Sequence, residues 1–191
     1  VLFMCFGSGI TCGTLGIGGF EHVDAIEISP EVLEAGHYFK DLNFDVLEMS
    51  NVNIYVDDAR NFLIRSTKKY DFITTEPMPL AMAGVSMFYT REFYQFCLQR
   101  LNDGGMISQW VPFHSSSEEV VQSAVYTFLK VFPYALGLFV NADLFLVGSN
   151  KPLMLNPEGL LQILEHNNTL KSAMEQAGFT DVEEIIACFI M

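Results

Sequence analysis

The sequence contains little positive charge and few of the short motifs that mark common catalytic sites. Its 191 residues include 10 lysines and arginines against 23 aspartates and glutamates, a formal net charge of −13. This balance argues against a nucleic-acid partner, which needs a basic face. It would suit a cationic substrate, but on charge alone solubility is the favoured explanation. There is no HxxH, HExxH or GxSxG motif, which argues against a metal site and a serine nucleophile.

Paired cysteines and long apolar runs are also missing. The four cysteines form no CxxC pair, and three of them lie within apolar patterns. We therefore expect buried, reduced thiols and a cytoplasmic protein. No apolar run approaches the ~18 residues that a membrane span needs, so direct membrane contact is not expected. Val1 stands in mid-strand without an initiator methionine, so we expect a fragment or a trimmed chain.

What the sequence does contain is a regular alternation of strand and helix patterns. Half of the residues are apolar, which is typical of a globular chain. Predicted strands alternate with helices five times, and Asn141-Ala142-Asp143 then marks a hairpin of two antiparallel strands. This pattern predicts a mostly parallel sheet covered by helices on both faces. We place one domain at residues 1–150 and a short helical extension of the same domain at 151–191.

Several local signals predict where these elements begin and end. Pro30 follows Ser29 at a helix start, and the run 102–105 (NDGG) predicts a turn that ends a helix before strand five. Ser115 or Ser116 with the following glutamates predicts a capping box for the next helix. The last residues, 185–191 (IIACFIM), suggest an apolar helix without a cap.

Polar and glycine residues fall at the ends of four predicted strands. Gly7-Ser8-Gly9 follows the first strand, Glu27 lies near the end of the second, Asp58 follows the third, and Glu76 ends the fourth. In parallel sheets ligands bind outside the carboxyl ends of the strands, near the point where strand order reverses. We therefore expect these groups to surround one nucleoside-sized hollow.

Each of these residues has a structural alternative to a binding role. Gly7, Ser8 and Gly9 could form a tight turn alone. A third glycine of GxGxxG would stand at Cys12, so a ligand smaller than a dinucleotide is favoured. Glu27 could accept both ribose hydroxyls, or be a solvated strand end. Asp58 could accept from the adenine amine or cap the helix that begins at Ala59, and the two alternatives are near even.

The last candidates lie on strands four and five. Glu76, before Pro77, could take a proton from an amine, or only hydrogen-bond the backbone. Gln109 and Trp110, at the end of strand five, are candidates for substrate contact. Trp110 could form an apolar wall, although a tryptophan at a strand end more often belongs to the core.

Taken together, six segments resemble the spermidine/spermine synthase (polyamine aminopropyltransferase) branch of the class I S-adenosylmethionine-dependent methyltransferase fold. They are VLFMCFGSGIT, VDAIEISPEV, VDDARNFL, YDFITTEP, FYTREFY and LNDGGMISQW, and they appear in the family's order and spacing. The resemblance implies a Rossmann-like fold with a seven-stranded, mostly parallel sheet, an antiparallel hairpin strand and helices on both faces. It also implies that residues 1–150 are a nucleoside-binding catalytic domain.

The resemblance also implies roles for individual residues. Gly7, Ser8 and Gly9 would line the aminoacyl or aminopropyl end of the donor. Glu27, with Ile28 beside it, would hold the ribose, and Asp58 with Ala59 the adenine. Glu76 would stand at the place of the family's catalytic aspartate. Tyr89 would lie near the acceptor, or pack in the core instead.

The implied reaction moves an aminopropyl group from decarboxylated S-adenosylmethionine to a polyamine such as putrescine, without a metal. Two departures leave alternatives open. Ser8 replaces the acidic residue of the family's glycine loop, so the donor could be intact S-adenosylmethionine and the protein a methyltransferase. Glu76 replaces an aspartate in a loop with fewer acids, so a non-catalytic nucleoside-binding domain is a further alternative. A homodimer, and a place as the cytosolic domain of a larger membrane protein, are also implied for some members.

Overall fold

A computed structural model describes residues 1–78, 82–112 and 115–190 of the chain. Within these ranges eight strands form one sheet. They are β1 (Leu2–Met4), β2 (Val23–Glu27), β3 (Val52–Val56), β4 (Tyr70–Thr75), β5 (Leu101–Val111), β6 (Tyr134–Val140), β7 (Asp143–Ser149) and β8 (Phe189–Ile190). The helices are α1 (Ile10–Ile17), α2 (Pro30–Gly36), α3 (Ala59–Arg65), α4 (Arg91–Arg100), α5 (Glu118–Leu129), α6 (Pro157–His166), α7 (Asn168–Gln176) and α8 (Val182–Ala187).

The strand order is β3-β2-β1-β4-β5-β7-β6-β8. The first five of these strands run parallel, and β7, β6 and β8 pair antiparallel. Strand order reverses between β1 and β4, so the carboxyl ends of these two strands form the switch point where α/β sheets bind ligands. The expected Rossmann-like architecture is confirmed.

Helices cover both faces of the sheet because side chains alternate along each buried strand. Leu2 and Met4 of β1 pack into a core cluster with α3, α4 and α5, whereas Phe3 packs into a second cluster with α1. Both faces of β1 are therefore buried, which is why its sequence is an unbroken apolar run rather than an alternating one.

The sheet has eight strands, so the expectation of seven is wrong. The run 185–191 is not one apolar helix either. Helix α8 ends at Ala187, and β8 pairs with β6 through Gly137↔Ile190 and Leu138↔Phe189. A two-residue edge strand is stabilised by its pairing with the neighbouring strand. It is too short to show the alternation of apolar and polar residues that would predict a strand from the sequence.

Two further boundaries differ from the expectation. The run 102–105 is not a turn that precedes strand five, because it lies within β5, which begins at Leu101. Gly104 has φ 77° and lies beside a register shift between β4 and β5. Helix α5 is preceded by Ser117 rather than by Ser115 or Ser116, and no side chain caps it. The hairpin is confirmed, with Asn141 and Ala142 at φ 50° and 66°, as a two-residue turn of the primed type requires.

Residues 151–190, predicted as a short helical extension, contain three short helices. Asn156, Asn167 and Asp181 cap α6, α7 and α8, each accepting a backbone N–H. Helix α7 contacts α1, and Asn167 Nδ2 donates to the carbonyl of Ile17. The division at residue 150 stays a prediction. No helix in the described parts of the chain is long and apolar enough to span a bilayer.

Candidate active site

A cavity of about 380 Å³ opens at the carboxyl ends of β1, β2, β3 and β4. Glu27, Asp58 and Glu76 all line it, together with Gly7. Three acids and a glycine from four separate segments therefore share one hollow, as the strand-end pattern predicts. The sequence places them there because each stands at or just beyond the end of a parallel strand.

Glu27 is held by the backbone around it. Its Oε1 accepts the N–H groups of Ile28 and Ser29, at 2.8 and 3.0 Å, and its Oε2 accepts the N–H of Gly7 at 3.4 Å. The side chain is buried, so these bonds fix its direction. The long Gly7 contact leaves most of the acceptor capacity of Oε2 directed to the cavity, where a pair of hydroxyls could donate to it.

Asp58 caps a helix and also lines the cavity, so the capping alternative is confirmed and contact with adenine stays a prediction. Its Oδ1 accepts the N–H of Asn61 at 2.7 Å and so caps α3, while the residue also lines the cavity. Asp57 lies outside the cavity lining and pairs with Arg65. Asp58 is thus the helix cap, and the same side chain borders the cavity.

The remaining walls of this cavity are mainly apolar. Ile28 and Ala59, both predicted to contact the donor, line it, and so do Val32, Val85 and Phe88. Flat apolar walls with a few directed carboxylates are the usual composition of a site for a small heterocyclic ligand.

A second cavity, of about 350 Å³, adjoins the first. Cys5, Gly7 and Glu76 line both cavities, so Glu76 stands at their junction. Ser8, Thr11, Trp110, Asp143 and others complete the second cavity. The charged side chains among the described lining residues of both cavities are all carboxylates.

Glu76 lies at this junction because it directly follows β4, and Pro77, the next residue, prevents the strand from continuing. Burial raises the pKa of its carboxyl, and a hydrogen bond from Thr11 opposes part of that shift. The Thr11 hydroxyl donates to Oε2 at 2.9 Å. A partly buried carboxylate with a raised pKa at the junction of two cavities is suited to accept a proton.

The glycines of the turn 7–9 are needed for the backbone conformation as well as for the shape of the cavities. Gly7 and Gly9 have φ of 58° and 79°, values that residues other than glycine rarely adopt. A Cβ on Gly9 would lie 2.6 Å from the Phe6 ring, and Gly9 itself is buried. Gly7 and Ser8 reach the cavities, whereas Gly9 is outside their described lining.

The candidate residues from strand five and from the FYT run lie partly at the second cavity and partly in the core. Trp110 lines the second cavity. Gln109 is fully buried, with Nε2 donating to the Trp110 carbonyl at 3.0 Å, and the Tyr89 hydroxyl donates to the same carbonyl at 2.8 Å. Neither Gln109 nor Tyr89 is among the described lining residues of the cavities. They lie behind the wall, and their contact with a substrate stays a prediction.

Besides several apolar wall residues, three polar or reactive residues of these cavities were not predicted from the sequence. Cys5 lines both, with φ 71° and a thiol whose pKa burial raises to about 12. Thr11 and Asp143 line the second. A threonine two places after the glycine turn was a usable signal for Thr11. Asp143 was assigned only to the hairpin turn, and nothing local distinguishes a turn aspartate from a binding one.

Comparison with known proteins identifies the family of the chain. The family described as the spermine/spermidine synthase domain matches residues 11–142, more than half of the chain. The chain belongs to this family. A polyamine aminopropyltransferase of Pectobacterium carotovorum is 32% identical over 89 residues, which is 46% of this chain and 31% of that protein. The chain thus spans about a third of the length of this relative.

Solved structures agree on the fold. A spermidine synthase in complex with the transition-state analogue AdoDATO has a TM-score of 0.77 and 21% identity, covering 100% of this chain and 64% of that one. Human methyltransferase-like protein 13 in complex with SAH has a TM-score of 0.68 and 17% identity, covering 92% and 80%. The spermidine synthase domain described here therefore has the fold shared by aminopropyltransferases and methyltransferases.

Proposed function

We propose that this chain forms the donor and acceptor sites of an aminopropyltransferase. Its substrates would be decarboxylated S-adenosylmethionine and a polyamine such as putrescine. The observation that carries the proposal is the position of Glu76 at the junction of two acid-lined cavities. Family membership supports it.

The first cavity suits the nucleoside part of the donor. Glu27 has acceptor capacity for ribose hydroxyls, and the second oxygen of Asp58 could accept from an exocyclic amine. Val32, Val85 and Phe88 offer apolar contact to a purine ring. Among the described lining residues no lysine or arginine is placed to receive an α-carboxylate, which favours the decarboxylated donor on electrostatic grounds.

The second cavity suits a diamine. Glu76 and Asp143 supply two carboxylates, and Ile10, Trp110 and Phe145 supply apolar surface. A chain of methylene groups with an amine at each end has complementary chemistry, because cationic ends pair with carboxylates while the middle is removed from water.

The reaction is a displacement at carbon. The neutral acceptor nitrogen attacks the methylene carbon attached to the sulfonium sulfur, a new N–C bond forms, and the C–S bond breaks. The electron pair of that bond stays on sulfur, so methylthioadenosine leaves as a neutral thioether. The acceptor amine binds as an ammonium and becomes neutral by giving one proton to the Glu76 carboxylate before the attack, and the new secondary amine leaves as an ammonium. Orientation across the junction and the negative field around the cation supply the catalysis.

The test measures donor binding and product release separately. Calorimetry with the purified protein is expected to show binding of the decarboxylated donor, and addition of putrescine is expected to release methylthioadenosine. Glu76→Gln should abolish this release while leaving donor binding nearly intact. Glu175→Gln, on exposed α7, is the matched control and should behave as wild type. A fully active Glu76→Gln would remove Glu76 from the mechanism.

One observation favours a second candidate, a methyltransferase that uses intact S-adenosylmethionine. Ser8, in the second cavity, carries no charge that would repel an α-carboxylate. The same experiment separates the two activities. Binding of the intact donor with release of S-adenosylhomocysteine would identify the methyltransferase, and binding of either donor without product would identify a non-catalytic nucleoside-binding domain.

A further inference from the structure

Thr11 connects the first turn of α1 to the acid at the end of β4. Its hydroxyl donates to Glu76 Oε2 at 2.9 Å, across 65 residues of sequence, and both side chains line the second cavity. We infer that Thr11 is a positioning residue, which holds the Glu76 carboxylate so that Oε1 is presented to the acceptor nitrogen. The catalytic part of this inference rests on the proposed function.

The need for such a residue follows from the length of glutamate. Its side chain has three torsions, and the last is broad, so an unattached carboxylate would sample many directions. The Thr11 hydroxyl occupies one acceptor direction on Oε2, which limits rotation about that last torsion. The proton from an incoming amine then has a defined destination on Oε1.

The position of Thr11 is itself fixed by tight packing. Gly13, on the same helix, lies against the loop that follows α2, where an added Cβ would be 2.0 Å from the carbonyl oxygen of Asn43. Asn43 is buried, and its Nδ2 donates to the carbonyls of Ser8 and Gly36, both at 2.9 Å. The loop thus holds the glycine turn and α1 together, and with them the backbone that carries Thr11.

The bond also affects the charge of Glu76. Burial raises the pKa of this carboxyl, and a hydroxyl that donates to the ionised form lowers it. Replacing Thr11 by valine keeps the volume and removes the donor, so the pKa of Glu76 should rise further. Serine keeps the donor and should preserve the wild-type value.

The experiment compares Thr11→Val with Thr11→Ser and with Thr14→Val. Thr14 lies on the same helix and donates to the Ile10 carbonyl, so it controls for the effect of valine on α1. The first measurement is a carbon NMR titration of the Glu76 carboxyl without substrates. The second is kcat against pH with the decarboxylated donor and putrescine.

Thr11→Val is expected to raise the Glu76 pKa and lower kcat about tenfold, a change typical of one lost hydrogen bond. The acid limb of the rate should move to higher pH, while donor binding stays within about twofold. Thr11→Ser and Thr14→Val should resemble wild type. An unchanged Glu76 pKa in Thr11→Val, or an equal loss of rate in Thr11→Ser, would overturn the inference. If wild type releases no methylthioadenosine, the proposed function fails, and the titration still decides whether Thr11 controls Glu76.

Discussion

At the scale of single residues, the site depends on how burial and hydrogen bonding balance at Glu76. Burial raises the pKa of its carboxyl above the ordinary value of 4.5, and the Thr11 bond only partly offsets this. We propose Glu76 as the general base, which works in its ionised form, so we expect activity to fall as pH drops through the raised pKa rather than through the ordinary one.

We therefore expect kcat/KM to lose its base-dependent part at a pH above 4.5, because Glu76 takes up its proton earlier than an exposed glutamate would. The measurement is a profile of kcat/KM against pH, which reports the essential base of the free enzyme. Glu76→Asp should shift this inflection without removing it. An inflection at or below the ordinary value would mean that burial does not control the base.

At the scale of elements, a buried aspartate connects several strands at the edge of the sheet opposite the cavities. Asp24 of β2 accepts from Lys68 Nζ at 2.8 Å, from the Tyr70 hydroxyl of β4 at 3.0 Å and from Asn53 Nδ2 of β3 at 3.2 Å. Burial alone would raise its pKa, but these hydrogen bonds outweigh it and the pKa is lowered. One carboxylate thus links three strands at their amino ends.

Asp24→Asn is expected to lower the free energy of unfolding by about 1–3 kcal/mol at neutral pH, because the buried Tyr70 hydroxyl and the Lys68 ammonium lose a charged, buried acceptor. The folded pKa lies below the ordinary 3.8, so this stabilisation is present above that value and disappears as pH falls through the folded pKa. Urea unfolding at several pH values measures it. Asp103→Asn, on an exposed ion pair with Lys151, is the matched control and should change stability by less than about 0.5 kcal/mol. Equal losses in both variants would contradict the assigned role of Asp24.

At the scale of the whole molecule, the net charge of −13 and the acid-lined cavities act in the same direction. A negative surface raises the local concentration of cations and speeds their encounter with the site, and added salt screens this attraction. The net negative charge, which solubility alone could explain, would therefore also speed the capture of a cationic acceptor.

We expect the KM for putrescine to rise severalfold when the salt concentration is raised from about 0.05 to about 0.5 M, with kcat nearly constant. The comparison substrate is a monoamine of similar length, whose single charge should give a weaker dependence. Steady-state kinetics at fixed pH measure both. A KM for putrescine that does not change with salt would show that long-range attraction contributes nothing to acceptor capture.

Much of the fold was predictable because its signals are local. The unbroken apolar run of β1, the proline at the start of α2 and the Asn141-Ala142 turn each constrain only a few neighbouring residues. Parallel strands have their carboxyl ends at one rim, so the sequence also determined that Glu27, Asp58 and Glu76 would meet. That much follows from the alternation of strand and helix alone.

Only the tertiary structure decided which way individual side chains point. Gln109 and Tyr89 turn to the Trp110 carbonyl in the core, and Asp58 caps a helix while it faces the cavity. The meeting of Thr11 with Glu76 and the pairing of β8 with β6 join segments far apart in the chain. Such contacts depend on side-chain torsions and on strand partners that no local pattern encodes, because many distant pairings are compatible with the same short sequence.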